Sequence, residues 1–390
     1  MSTTVNAGSE TVLSVLDRVH VHDVDTHVSE PADLWTSRLP KKFADLAPYP
    51  TISETGAELW HFGDDFIVFD QNMRTACFDE LTQLGAMDPT GRLKWMDANG
   101  VYSQVMYPNL LGFYPLSFLK LGPDAALACV KAYNDFQTEF ASVDRKRLIP
   151  LTNLPWWDLD ESVAELQRCY DQGHRGMNLG WQFEDMDLPR LREDHWEPLL
   201  KLAEEMGMSV NFHVGFNTDA KALQAHRLMK ATPLDHAGGP ARFFLGNANC
   251  IIELILGGIC EKYPKLNFVS VESGVGFLPF LLESLDWQYL NNNLDVEYPN
   301  LLLPSEYFRR QIYGCFWFEK DIVELAHLYP DNFMFETDFP HRTSLTPGDM
   351  FPHVKGPRDT IISNLASMPE DLLVKLLQDN AARVYHLEKK

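Results

Sequence analysis

Basic side chains are in short supply in this sequence, with 33 Lys and Arg against 55 Asp and Glu and a formal net charge of −22. Nucleic acid and anionic membrane surfaces are gripped by clustered Lys and Arg, so neither is expected as a partner. No apolar run approaches the roughly 18 residues that suggest a membrane span. The six cysteines, Cys77, Cys129, Cys169, Cys250, Cys260 and Cys315, contain no Cys-x-x-Cys pair. That argues against a zinc ribbon or a disulfide framework and for reduced, buried thiols in a cytoplasmic protein. Missing too are a Gly-x-Ser-x-Gly elbow, a Walker A loop and a His-Glu-x-x-His helix, and Gly274-Val275-Gly276 lacks the third glycine of a dinucleotide fingerprint. The first ten residues have neither a basic region nor an apolar run, so residues 1–19 read as an N-terminal tail.

With 45% hydrophobic residues, the 390-residue chain has the material for a large core. Short β-branched runs alternate with amphipathic segments. Strands are expected at His20 to Val28, Val101 to Tyr107, Leu148 to Asn153, Gly176 to Leu179, Ser209 to His213, Asn267 to Glu272, Gln311 to Phe316 and Asn332 to Asp338. Helices fall between them at Asp88 to Asn99, Asp124 to Asp144, Asp160 to Tyr170, His195 to Met206, Cys250 to Lys262, Gly276 to Leu290 and Asp321 to Leu328. This alternation predicts an α/β fold, a (β/α)₈ TIM barrel spanning residues 20–390. An insertion after strand 1, about residues 36–86, carries a hairpin at Glu58 to Phe69 that turns at Gly63-Asp64 and is placed to cap a site.

The informative feature is where polar residues interrupt these strands. Asp25 and His27 end the first, His213 the fifth, Glu272 the sixth and Asp338 the eighth. Strand C-termini converge in a barrel of this type, so these residues are expected to meet. Imidazole and carboxylate without thiolate suit Zn²⁺, Mn²⁺ or Fe²⁺. Taken singly each has a plainer reading, His213 as a hydrogen-bonded core residue, Asp338 as a turn Asp before Phe339-Pro340 and Glu272 as a helix cap; the joint placement favours the metal. Alternation puts Asp23 in the same column as Asp25 and His27. Asp23, His236 and His341 are candidates for a second ion or for supporting the first. Trp181, Phe216, Arg242 and Trp317 are candidates for holding substrate, the arginine through a carboxylate and the aromatic residues through an apolar or aromatic group.

The phrases Asp23-Val24-Asp25-Thr26-His27-Val28-Ser29-Glu30-Pro31, Asn211-Phe212-His213-Val214-Gly215, Val271-Glu272-Ser273-Gly274 and Glu336-Thr337-Asp338-Phe339-Pro340-His341 together resemble the amidohydrolase-related family. This is the branch of the amidohydrolase superfamily that includes aminocarboxymuconate-semialdehyde decarboxylase and the resorcylate-type decarboxylases. The resemblance implies a metal-dependent barrel, usually a homodimer or higher homo-oligomer. The family's first-strand His-x-His is similar to Asp25-Thr26-His27, its fifth-strand His matches His213 and its eighth-strand Asp matches Asp338. Its sixth-strand His falls at Glu272, and Asn178 occupies the fourth-strand position that bridges two metals in dinuclear relatives. Two carboxylates in place of imidazoles shift preference from Zn²⁺ toward Mn²⁺ or Fe²⁺.

The resulting expectation is a metal-dependent lyase or hydrolase acting on a small aromatic or unsaturated carboxylate by decarboxylation or hydrolysis. Asp25, His27, His213, Glu272 and Asp338 hold one or two divalent ions, and Asp338, Glu272 and His213 serve catalysis, with Asp338 moving the proton. The alternatives are an O₂-dependent hydroxylase with two iron or manganese ions, and a catalytically silent binding subunit on the same barrel.

Overall fold

The computed structural model describes residues 7–54, 58–68, 79–214, 232–348 and 353–390. The chain is α/β, and every expected strand is present within two or three residues of its expected bounds. The first, β1 (His22–Val28), is buried over its whole length. The hairpin strands follow as β2 (Tyr49–Ile52), β3 (Glu58–Phe62) and β4 (Asp65–Val68), paired antiparallel. Then come β5 (Ser103–Pro108), β6 (Leu148–Pro150), β7 (Thr152–Asn153), β8 (Gly176–Asn178), β9 (Ser209–His213), β10 (Phe268–Val271), β11 (Ile312–Phe316) and β12 (Phe333–Phe335).

Among the described residues, all pairing outside the hairpin region is parallel. One sheet runs β1-β5-β6 and another β12-β11-β10-β9-β8-β7. Between β12 and β1 there is an isolated parallel bridge, Thr26 with Phe339. Asp338 N–H donates to the Asp25 carbonyl at 2.9 Å and His27 N–H to the Phe339 carbonyl at 2.6 Å. Inside these strands lies an apolar cluster that includes Val24, Val105, Ile149, Val269, Tyr313 and Met334, together with Ala381, Val384 and Tyr385 from a C-terminal helix, Asn380–Tyr385.

Local chemistry explains the helix ends. Asp88 caps helix Pro89–Asn99 by accepting from Gly91 N–H at 2.6 Å, Pro89 occupies the first turn, and Gly100 ends it at φ 71°. Two differences from the sequence reading have physical causes. The single helix expected at Cys250 to Lys262 is two, Asn247–Leu256 and Ile259–Lys262, because Gly258 at φ 79° breaks the ladder. Within residues 1–19, Ala7–Leu16 is helical, and Val12, Val15 and Leu16 are buried against the C-terminal helices, so apolar spacing there serves packing. The hairpin packs by Trp60 and Phe62 onto Trp35 and Phe118.

Candidate metal centre

The site begins with an irregularity in β1. Asp23 pairs with Gln104, but the next aligned pair is Thr26 with Met106, so β1 carries one extra residue there. Such a bulge breaks the two-residue alternation and redirects side chains. Val24 joins the interior apolar cluster. Asp23 leaves the column expected for it: its carboxylate accepts from Thr337 N–H at 2.8 Å, Thr337 Oγ1 at 2.6 Å and Gln104 Nε2 at 3.0 Å. It ties the end of β12 to β1, and burial raises its pKa to about 7 despite those three donors.

Asp25 and His27 meet the other strand-end residues. His27 Nε2 lies 3.1 Å from His213 Nε2, 3.6 Å from Asp25 Oδ1 and 3.7 Å from Asp338 Oδ1. His213 Nε2 is 3.7 Å from Asp25 Oδ1 and 3.5 Å from Glu272 Oε2. Three overlapping ligand sets result: Asp25, His27 and His213; Asp25, Glu272 and Asp338; and His27, Asp338 and His341. All these residues are buried.

The donor set fits a divalent cation on several counts. His27 Nδ1–H donates to the Pro108 carbonyl at 3.1 Å, which leaves the Nε2 lone pair directed at the cluster. Two nitrogens on one ion at 2.0–2.1 Å sit roughly 2.9–3.4 Å apart for bond angles of 90–109°, a range that includes the His27–His213 separation. Both oxygens of Asp25 lack a hydrogen-bond partner among the described residues. A buried carboxylate left so is costly unless a cation takes its place as partner.

Electrostatics point the same way. Burial holds Glu272 and Asp338 well above the usual carboxylate range, and neighbouring carboxylates push further, Asp338 and Asp25 on Glu272, and Asp25 on Asp338. Glu336, whose Oε2 accepts from Glu272 N–H at 3.2 Å, is raised by burial and then by Asp25. Burial, then His341 and His213, hold His27 well below its ordinary value. Each shift neutralises a crowded cluster, and a bound cation reverses the penalty. Glu272 (φ 55°) and Asp338 (φ 60°) are also held in the left-handed region, an uncommon state for non-glycine residues that recurs at functional sites.

Around this centre, His341 Nδ1 lies 2.6 Å from Asp338 Oδ1, and its Nε2 faces Asn109 Oδ1 at 2.8 Å. Asn109 Nδ2 points to the Val28 carbonyl at 3.4 Å, so its oxygen faces the imidazole and His341 Nε2–H is the donor. Glu30 Oε1 accepts from the N–H groups of Asn109 and Leu110 at 3.0 and 2.8 Å. Thr343 Oγ1 donates to Asp338 Oδ2. Buried Arg92 donates to the carbonyls of His27 and Gly85 and to Gln104 Oε1. Phe113 packs against His27, His213 and His341 with ring centroids 5.3–5.8 Å apart.

The remaining candidates are placed as follows. Trp317 is 1% exposed, donates to the Thr343 carbonyl at 3.3 Å and packs on Phe244 and Phe318. Arg242 is solvent-exposed on helix Pro233–Phe243. Trp181 is partly buried against the main core. Phe216, and the side chain of His236, lie outside the described residues. Asn109, Glu30, Arg92 and Glu336 were not singled out from sequence as site residues. Glu30 and Glu336 sit inside the motif phrases, and Asn109 follows a strand end, but a buried Arg92 in mid-helix leaves no signature.

Comparison with known proteins bears on the family and the fold. A gamma-resorcylate decarboxylase from Rhizobium sp. (strain MTP-10005) is 24% identical over 312 residues, covering 76% of this chain and 86% of that protein. An amidohydrolase structure from Mycobacterium avium subsp. paratuberculosis K-10 superimposes with a TM-score of 0.72 at 22% identity, covering 94% of this chain and 99% of the other. The 5-carboxyvanillate decarboxylase of Novosphingobium aromaticivorans DSM 12444, with bound manganese and 3-methoxy-4-hydroxy-5-nitrobenzoic acid, matches with a TM-score of 0.63 at 16% identity over 94% and 97%. The profile of the family described as amidohydrolase matches residues 122–387, from the long helix after β5 through β12 to the C-terminus. Covering more than half of the sequence, and with it His213, Glu272 and Asp338, that match places the chain in the amidohydrolase family.

Proposed function

We propose that the protein is a metal-dependent decarboxylase of a small aromatic carboxylate. One observation carries the reading: Asp25, His27, His213, Glu272 and Asp338, drawn from four strand ends, face one another at 3.1–3.7 Å with both Asp25 oxygens unpartnered. The likeness to resorcylate and carboxyvanillate decarboxylases supports the substrate class. In this reading the eight parallel strands close into a (β/α)₈ barrel at the Thr26–Phe339 bridge, β6 and β7 acting as one broken strand, and residues 36–86 form an insertion beside the site.

Asp25, His27, His213, Glu272 and Asp338 hold the ion, and the carboxylate-rich set favours Mn²⁺ or Fe²⁺. When bound, the cation supplies Lewis acidity, withdrawing electron density from the oxygens of the substrate. Asp338 delivers a proton to the ring carbon that bears the carboxylate. The bond from that carbon to the carboxylate then breaks, CO₂ leaves, and its electron pair restores the ring. His341, 2.6 Å from Asp338, returns the proton to Asp338. Arg92 fixes the His27 backbone, and Phe113 keeps water off the imidazoles.

The test is metal analysis joined to a CO₂-release assay over hydroxylated benzoates with Mn²⁺ supplied. Wild type should hold metal and turn over. His213→Ala should lose most of its metal, in line with the 10–100-fold affinity losses seen for even supporting groups. Asp338→Asn should lose turnover by at least about 10³-fold. Full activity and full metal content in both variants would refute the assignment.

A second reading has its own observation. The sets around His27–His213 and Glu272–Asp338 share Asp25, an arrangement suited to two ions bridged by one carboxylate. An O₂-dependent hydroxylase then predicts two iron or manganese ions per chain and O₂ consumption with substrate, and one redox-inert ion per chain eliminates it. Exposed Phe280 and Trp287, seven residues apart on helix Leu278–Asn291, support assembly with a second copy, which light scattering measures directly.

A further inference from the structure

Beside the centre lies a narrow cleft that no step above uses. It holds about 30 Å³ of water-accessible space below an open mouth, and its walls include Leu111, Phe118, Trp156 and Phe183, with Asn153 and Asn178 among the lining residues. Asn178 pairs with Asn211 across β8 and β9, two residues short of His213. At about 3.3 Å per residue and about 4.8 Å between strands, its Cα sits roughly 8 Å from that of His213. The helical turn Leu110–Phe113 joins the two places, since Phe113 packs on the site imidazoles while Leu111 lines the cleft.

The polar end of the cleft has a fixed sense. Asn178 is 4% exposed, and its Oδ1 has no hydrogen-bond partner among the described residues. Its Nδ2 donates to Asn153 Oδ1 at 3.1 Å. The Asn153 amide can offer only its oxygen there, because Asn134 Oδ1 accepts from Asn153 N–H at 3.0 Å and lies 3.4 Å from Asn153 Nδ2. Asn134 is itself oriented, since its Nδ2 donates to Glu165 Oε1 at 2.7 Å and to the Asn153 carbonyl at 2.9 Å. Glu165 is an acceptor throughout, held by Arg168 through Nε at 2.8 Å and Nη2 at 2.6 Å. The backbone N–H and C=O of Asn153 fix the sense of Asn134, with Glu165 and Arg168 behind it, and this chain of amides leaves Asn178 Oδ1 as the unpaired acceptor at the polar end of the cleft. Such an oxygen rejects a carboxylate and accepts from a hydroxyl or an N–H.

We propose that this cleft is a specificity pocket for the non-reacting end of the substrate, a flat apolar group bearing a hydrogen-bond donor that Asn178 Oδ1 reads. As a statement about substrate it rests on the metal-centre reading, because the reacting carboxylate is then at His27 and His213. As a binding site it stands alone. Apolar walls supply most of the affinity, and the single buried acceptor supplies the selectivity, because a ligand lacking the donor leaves that acceptor unpaired.

The experiment uses 4-bromophenol and its O-methyl ether, 4-bromoanisole, titrated calorimetrically into the full-length protein with and without EDTA. Wild type should bind the phenol about tenfold more tightly than the ether. Asn178→Ala should bring the phenol down to the level of the ether. Bromine anomalous scattering from soaked crystals should place the probe in the cleft beside Trp156 with its hydroxyl on Asn178, which keeps the test open should a variant misfold. Equal binding of both probes to wild type, or bromine found only outside the cleft, overturns the proposal. Chelation should leave phenol binding unchanged; loss of binding with EDTA puts the probe on the metal instead and also overturns it. Failure of the metal reading appears elsewhere, in metal content and CO₂ release.

Discussion

Crowded carboxylates make the site residues poor contributors to stability. In the metal-free protein Glu272 is buried beside the carboxylates of Asp25 and Asp338. Glu272→Gln should therefore stabilise the metal-free protein, by about 1–2 kcal/mol, while weakening metal binding. Urea unfolding in EDTA measures the first and metal titration the second; destabilisation without metal would mean Glu272 serves packing. Glu30 makes a different prediction, in pH. Burial raises its pKa from 4.5 to about 8 although Leu110 and Asn109 N–H donate to it. The folded state therefore binds more protons than the unfolded state between pH 4.5 and 8, and the contribution of this group falls as pH rises through that window. Glu30→Gln keeps an acceptor for both N–H groups and removes the titration. Its unfolding free energy should decline less steeply than that of wild type from pH 5 to 8, and parallel slopes would show that Glu30 is not the source.

The elements are set by signals a few residues long. Asp88, Pro89 and Gly100 mark a helix because capping and left-handed closure are local chemistry. Asp88→Ala should cost about 1 kcal/mol in urea unfolding and leave catalysis untouched, since the cap only satisfies the Gly91 N–H. The bulge in β1 is different in kind. Alternation alone aligns Asp23 with Asp25 and His27, and the extra residue is decided by pairing with β5, which no local pattern in His22–Val28 announces. The helix break at Gly258 was available as a Gly257-Gly258 pair, but a lone glycine pair in an apolar helical pattern is ambiguous until the backbone φ is seen.

At the scale of the whole molecule the C-terminal helix is fastened to the strands by polar contacts. Tyr385 Oη donates to Asn211 Oδ1 at 2.6 Å and Tyr107 Oη to the same oxygen at 3.3 Å, beneath the metal centre. Tyr385→Phe removes one buried hydrogen bond and leaves Asn211 with the longer one. It should lower the unfolding free energy by about 1–1.5 kcal/mol and leave metal content intact, as measured by urea unfolding and elemental analysis. Loss of metal in that variant would mean the helix positions the site through β9 and does more than close the core.

The sequence by itself determined the strand and helix alternation and which strand ends carry His and carboxylate. Those depend on periodicity, caps and residue chemistry, all local. It also carried the four motif phrases that resemble the amidohydrolase-related family. Tertiary structure alone decided that Asp23 turns to Thr337 and Gln104, that Trp317 is buried, that Arg92 is buried behind His27, and that Asn134, Asn153 and Asn178 form an oriented chain. Each of these is a hydrogen-bond direction or a packing face set by residues distant in sequence, so it does not exist until the strands are side by side.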